Sequence, residues 1–248
     1  MPVYNEAATL RSIIAKVLAV PDLLELIIVD DCSSDRSPQI CDEFKCDPRV
    51  IVIRHEKNRG KTAALITGFA RTTGDVVTIQ DADLEYDPGE IPELIAPIVE
   101  GRADVVYGSR FMVKRAARVL YFSHYVANKC LTFVSNCLTN LNMTDIETCY
   151  KAFRGDIIRN LLITSKGFGF EVEVTAKVAK LRCAVYEVPI SYYGRTYQEG
   201  KKIGVRDGIA AFWYLAKFNL LTGLSSSFRA VPELEDRQDQ KLLVDIKE

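Results

Sequence analysis

The 248-residue chain lacks any uninterrupted apolar run of about 18 residues, the length a membrane-spanning helix needs, so no segment reads as a transmembrane helix. It also lacks CxxC spacing. Its seven cysteines are odd in number and scattered, which argues against a disulfide framework or a zinc site and for reduced thiols. No secretory signal pattern marks the N-terminus, and no internal repeat is visible. An excess of either charge is missing too. The net charge of −1 gives no global field toward nucleic acid, and no helix-turn-helix, zinc-finger or RNA-binding signature supports such a partner. Trp213 is the only tryptophan. The charge that is present is local: Arg110, Lys114, Arg115 and Arg118 form one basic stretch, and Arg195, Lys201, Lys202 and Arg206 another.

What the sequence has in plenty is short runs rich in valine and isoleucine. Leu26–Asp30 (LIIVD), Val50–Arg54, 75–80 (DVVTIQ), 104–108 (DVVYG) and 185–190 read as strands, the first four as parallel strands buried on both faces. Helical patterns fall between them at 7–20, 34–44, 61–72 and 89–100, with Ser34 and Asp35 placed to cap the second and Pro88 to start the fourth. This alternation predicts an α/β fold with an open, doubly wound sheet. Such sheets bind ligands at the carboxyl ends of their strands, where Asp30–Asp31 and Asp81–Asp83 fall. The chain opens directly on the turn at 2–6, so an incomplete first strand is expected. Further helices are expected at 119–141, 154–163, Phe170–Leu181 and 204–221. The first is amphipathic and the last is apolar on most sides. Residues 224–248 read as a mobile tail.

Asp81, Ala82 and Asp83 follow the apolar run at 75–80 and precede Glu85. Carboxylates two positions apart at a strand exit can share one divalent ion. Hard oxygen ligands suit Mg²⁺ or Mn²⁺, which neutralise the charge of a departing diphosphate. The competing reading is a solvated acidic turn, since a lone DxD is common. Its place after a buried strand favours function.

The motifs PVYNE (2–6), VDDCSSD (29–35), NRGK (58–61), DADLEYDP (81–88), GSRF (108–111), TDIETCYKAF (144–153), GFEVE (169–173), VPI (188–190) and RTYQEGKK (195–202) occur in this order over most of the chain. Together they resemble family 2 glycosyltransferases with the GT-A fold, a Rossmann-like, mostly parallel sheet with helices on both faces. Within them the chain is similar to the polyprenyl-phosphate sugar transferases of the dolichyl-phosphate mannosyltransferase kind. The resemblance implies that Pro2, Tyr4, Glu6, Val29 and Asp31 line the base and ribose pocket. Asp81, Ala82 and Asp83 would hold the diphosphate and metal, with Glu85 near the ion, although the related position often carries Gln. Arg110 would meet phosphate, and Arg195 and Lys201 would close over the nucleotide from a loop bearing Gly194, Gly200 and Gly204. Asp83, Arg110 and Asp145 are the implied catalytic residues.

Asp145 has two readings. In relatives with hydroxyl acceptors an Asp in a similar motif is the general base. A phosphate acceptor, with a second pKa of about 6, is already ionised and needs little base catalysis, which leaves Asp145 an orienting or capping role. For Glu147, Glu171 and Glu173 the structural reading leads. Lys114, Arg118, His124 and Lys129 are candidates for the acceptor phosphate, against solvated surface charge.

The resemblance implies an inverting, metal-dependent transfer from UDP-glucose, GDP-mannose or a close relative to a polyprenyl phosphate. A transferase to a hydroxyl is the enzymatic rival, and a nucleotide-sugar-binding pseudoenzyme or scaffold subunit the rival of another class. A processive polysaccharide synthase is disfavoured, because QxxRW and membrane helices are both missing. The expected organisation is one domain over 1–222, including the helix within 112–141 and the loop and helix at 191–221, then a flexible polar tail at 223–248. The expected location is cytoplasmic, peripheral at the inner face of a membrane or on a membrane partner, through the helices at 119–141 and 204–221 and the basic stretches.

Overall fold

The structure is a computed structural model and describes residues 1–112, 118, 121–167, 169–195 and 205–234, without the side chains of 205–207 and 209. Its elements follow in chain order as β1 (Pro2–Val3), α1 (Leu10–Leu18), β2 (Leu26–Asp30), α2 (Ser37–Glu43), β3 (Val50–Arg54), α3 (Lys61–Phe69), β4 (Val76–Thr78), α4 (Ile91–Val99), β5 (Val105–Ser109), α5 (Phe122–Thr139), β6 (Lys151–Arg154), α6 (Gly155–Asn160), α7 (Phe170–Leu181), β7 (Val185–Pro189) and α8 (Val205–Leu220).

The period of two along a strand explains why the central runs are apolar throughout. In β2, Leu26 and Ile28 pack with Leu10, Ile13 and Ile14 of α1 and Ile40 of α2, while Ile27 and Val29 pack with Ala64 of α3 on the other face. In β5, Val105 and Tyr107 join Phe69, Phe153, Phe170 and Leu215, whereas Val106 joins Ile91, Leu94 and Ile98 of α4. Strands covered by helices on both sides have no solvent face to mark with polar residues.

β1, β2 and β3 are parallel and adjacent in that order. The first strand is short, its two residues pairing with Val29 and Asp30. The remaining strands run in the order β4-β6-β5-β7, with β5 and β7 parallel. β6 is antiparallel to both its neighbours and is the strand the apolar pattern does not announce. Lys151 sits in it fully buried, its ammonium turned onto the carbonyls of Ile146 and Thr148. The helical pattern at 154–163 shrinks to α6, because Arg154 belongs to β6 and Leu161 pairs with Phe228. Helix α2 starts later than expected, with Arg36 at its N-cap and no side-chain cap there; Asp35, one residue before, accepts from the Ser37 amide at 2.9 Å, and the Ser34 hydroxyl turns to Asn5 Oδ1.

The segment 223–234 lies against the core. Phe228 is buried with Leu161 and Ile157, and the Arg229 amide donates to the Asn160 carbonyl at 2.8 Å. Residues 235–248 of the expected tail lie outside the described residues. Among the described residues no helix is long and apolar enough to cross a membrane. α5 and α8 pack against each other, yet both expose large apolar side chains: Phe122, Tyr125, Val126 and Phe133 on α5, Phe212, Trp213 and Leu220 on α8. The α5 set follows the helical repeat and makes one face.

Candidate active site

Two turns at the carboxyl ends of β1 and β2 are built as one unit. Asn5 has a φ of 53°, a left-handed conformation that Asn tolerates better than most residues. Its Oδ1 accepts from the Ser34 amide at 2.8 Å. The Glu6 amide donates to Ser37 Oγ and the Ala7 amide to Asp35 Oδ2, both at 3.0 Å. Asp31 is buried and accepts from His55 Nδ1 (2.6 Å), the Arg59 amide (2.9 Å) and the Gly60 amide (2.7 Å). Its carboxylate fixes the 58–61 loop. Val29 is likewise core. Of the residues assigned to the base and ribose pocket, Tyr4 is exposed and Pro2 and Glu6 are half-buried.

The 58–61 loop ends on Lys61, the first residue of α3, whose ammonium lies 2.9 Å from Asp81 and 2.6 Å from Cys149 Sγ. Burial alone would push the Asp81 carboxyl up, but the Lys61 charge and hydrogen bonds hold it below the ordinary carboxylate range. Asp83 goes the other way. Burial first, then the charges of Asp81 and Glu85, push it up to about 7, against the pull of Arg195. Arg195 gives Nη2 to Asp83 at 2.5 Å, Nε to Glu85 at 3.0 Å and Nη1 to Glu6 at 3.4 Å. Glu6, Asp83, Glu85 and Arg195 thus converge from three distant stretches of sequence. Among the described residues no three histidine, cysteine or carboxylate side chains close into an ion-holding group; the acids face these two cations instead. Ala82 is buried, its carbonyl accepting from Thr9 Oγ1 at 3.0 Å.

Arg110 follows β5 and meets Asp145 through a two-pronged ion pair, Nε–Oδ2 and Nη2–Oδ1 both at 2.7 Å, with the Arg110 amide donating to Oδ2 at 3.1 Å. The Asp145 side chain is fully buried. Burial would raise its pKa, yet the Arg110 charge and hydrogen bonds hold it below the usual range. Glu187 of β7 accepts from the amides of Thr144 (2.9 Å) and Asp145 (3.2 Å) and so fixes that loop. Tyr192 joins the two halves of the site. Its ring lies 5.2 Å from the Arg110 guanidinium, and its hydroxyl donates to Glu85 at 2.9 Å.

Of the candidates for the acceptor phosphate, Lys129 stands 4.0 Å above the Phe111 ring and donates to the Thr144 carbonyl at 3.1 Å. Arg118 donates to the Gly194 carbonyl at 2.8 Å, and His124 tilts against Tyr121. Lys114 and Lys201 lie outside the described residues. Lys61, Cys149, Glu187 and Tyr192 are site residues that sequence reasoning did not assign. Lys61 was within reach of it, as the last residue of the NRGK motif.

Acids and matched cations thus gather at the carboxyl ends of the strands, where open α/β sheets bind their ligands. Residues 1–162 match Glycosyl transferase family 2, and the chain belongs to that family; it is a glycosyltransferase. It is 31% identical over 231 residues to an undecaprenyl-phosphate mannosyltransferase of Micrococcus luteus, covering 86% of this chain and 94% of that one. It is 29% identical over 212 residues to a polyprenol monophosphomannose synthase of Mycolicibacterium smegmatis, covering 82% and 80%. Among solved structures, glucosyl-3-phosphoglycerate synthase of Mycobacterium tuberculosis, in complex with Mn²⁺, UDP-glucose and glycerol 3-phosphate, superposes with a TM-score of 0.68 at 18% identity over 88% of this chain and 78% of that one. That likeness is one of fold, and the fold is GT-A.

Proposed function

We propose that this glycosyltransferase moves a sugar, with inversion, from a nucleotide-sugar to a polyprenyl phosphate at a membrane face. The observation that carries the reading is the Arg110–Asp145 pair. A hydroxyl acceptor needs a base with a lone pair free to take its proton. Asp145 takes three donors from Arg110, its side chain is 0% exposed, and the pairing makes it a weaker base than an ordinary carboxylate. An ionised phosphate needs cations rather than a base. Arg110 keeps Nη1 outside the Asp145 bonds, and Lys129 stands on the neighbouring Phe111 ring. In this reading Asp145 is a positioning residue for Arg110. The two curated relatives named above favour mannose and a polyprenyl phosphate; UDP-glucose and GDP-mannose are the donors to try first.

The acid cluster fits a divalent cation, Mg²⁺ or Mn²⁺. Four carboxylates (Glu6, Asp81, Asp83 and Glu85) meet two cations (Lys61 and Arg195), leaving the negative charge that one divalent ion cancels. Burial raises the Asp83 pKa first, and the neighbouring charges of Asp81 and Glu85 add to it. Asp81 and Asp83 would hold the ion, with Glu85 beside it. When bound, it supplies positive charge for the leaving diphosphate. Around it, Tyr4 offers its exposed ring to the nucleoside and Arg110 its guanidinium to phosphate. The exposed aromatic faces of α5 and α8 suit peripheral docking on the inner, cytoplasmic leaflet, where the acceptor is delivered.

The test is a transfer assay with Mn²⁺ or Mg²⁺, a short polyprenyl phosphate and a panel of UDP- and GDP-sugars, with Asp83→Ala as control. A lipid-linked sugar that disappears in the control is the expected result. Metal-dependent donor turnover without a lipid product would overturn the acceptor assignment.

A further inference from the structure

The contacts of Arg195 extend to a whole segment. Residues 191–195 are strapped onto the loop that carries the acid cluster. Ser191 gives its amide (2.8 Å) and hydroxyl (2.7 Å) to Glu90, and the Tyr193 amide donates to the Glu85 carbonyl at 2.9 Å. The Glu85 carboxylate takes the Tyr192 hydroxyl on Oε2, and both the Arg195 amide and Nε on Oε1, each of the last two at 3.0 Å. The strap ends with the guanidinium on Asp83 Oδ2.

We infer that Arg195, locked in place by Glu85, is an internal counter-cation that competes with the divalent ion for Asp83, so that ion binding and release of the 191–195 strap are one event. The inference rests on the reading of Asp81 and Asp83 as the metal pair. A guanidinium 2.5 Å from Asp83 Oδ2 takes one lone pair of that oxygen, and the Glu85 amide donates to Oδ1 at 3.1 Å, so an ion would have to share Asp83 with both donors. Two positive centres on one carboxylate oxygen also repel each other strongly in a partly buried site. Glu85 then acts chiefly as the strap's anchor. Its two oxygens are spoken for by Arg195 and Tyr192, and a carboxylate grips an arginine as a neutral amide does not. Arg195 is accordingly a positioning residue that holds Asp83 and Glu85 together. It becomes available to a diphosphate only after the ion has displaced it.

The experiment measures Mn²⁺ binding without nucleotide, from the loss of the free-ion EPR signal, in the wild type and in Arg195→Ala, Glu85→Gln and Asp83→Ala, with melting curves to establish that each is folded. Arg195→Ala is expected to bind Mn²⁺ about tenfold more tightly, since a competing unit charge at contact distance is removed. Glu85→Gln should bind it no more weakly than the wild type, and Asp83→Ala should lose it. In the wild type, Mn²⁺ should also speed hydrogen–deuterium exchange of the Tyr193 and Arg195 amides. If Asp83→Ala matters but Arg195→Ala binds no tighter, or exchange is unaffected by Mn²⁺, the competition is wrong and the metal reading stands. If Glu85→Gln binds more weakly, Glu85 is a ligand and the lock is wrong. If Asp83→Ala binds as the wild type does, or nothing binds, the metal reading fails and the inference with it.

Discussion

Replacing Asp145 by alanine separates an anchor from a base. The Arg110 side chain is 13% exposed and Asp145 0% exposed, and they share a fork of two 2.7 Å bonds. Removing the carboxylate leaves a nearly buried guanidinium without its partner, which costs about 3–5 kcal/mol. For a domain of this size each kcal/mol moves Tm by about 2–4 °C, so a fall of about 6–20 °C is expected in a thermal melt. Asp145→Asn, which keeps one acceptor, should lose less. The pH dependence has a definite sign. The folded pKa of Asp145 is depressed, so the pair's contribution is present above the unfolded carboxylate value of about 3.9 and is lost as pH falls through the lower folded value. The stability gap between wild type and Asp145→Asn should therefore be full at pH 7 and close in strong acid. Transfer should weaken through Arg110, so that Arg110→Ala and Asp145→Ala are far from additive in a double-mutant cycle. A base would behave otherwise. A fall in kcat of about 10²–10⁴ with Tm unchanged would refute the anchor and revive a hydroxyl acceptor.

Other substitutions test the frame around the site. Glu173→Gln leaves Lys177, 1% exposed and 2.6 Å away, as a buried charge, and weakens the bonds to the Thr164 and Ser165 amides. About 3–5 kcal/mol should be lost in urea titration, with KM of the folded enzyme unchanged. In Gly169→Ala the new methyl would lie 2.5 Å from a Tyr214 ring carbon and 2.8 Å from Ser165 Cβ, so about 1–3 kcal/mol of overpacking is expected in the same assay. Phe122 and Trp213 are 77% and 63% exposed. Changing both to glutamate should leave Tm within a few degrees and sharply reduce co-sedimentation with anionic vesicles; unchanged vesicle binding would sink the docking assignment.

The parts of the fold visible in the sequence are those where one element fixes its own pattern. LIIVD and DVVYG are apolar in their middle because both faces are covered, each with one aspartate at an end, and β2 and β5 fall on them almost residue for residue. Helix α7 matches its expected bounds. β6 was not visible, because a buried lysine breaks the apolar run and its charge is satisfied by carbonyls of the preceding loop. In the site, the acids at 81, 83 and 85 were legible from spacing and resemblance, but their partners were not. Arg195 reaches Asp83 across 112 positions and Glu6 across 189, and no local pattern encodes such pairing. Lys61 closes the NRGK motif, yet only the fold brings its ammonium to Asp81. Asp31 is the converse case. Its place at a strand end marked it for the nucleoside pocket, and the fold adds a role that spacing does not show, its oxygens accepting from His55 and the 59–60 amides.

The central claim is that the acceptor is a phosphate served by cations, with no base beside it. The most direct measurement offers the enzyme, in one reaction with donor and divalent ion, equal amounts of a polyprenyl phosphate and the polyprenol of the same chain length, and identifies products by mass spectrometry. The account predicts that only the phosphate carries sugar, through a phosphodiester, from pH 6 upward with no added requirement for a base. Sugar on the polyprenol hydroxyl, lost on Asp145→Asn in a protein that melts normally, would contradict it.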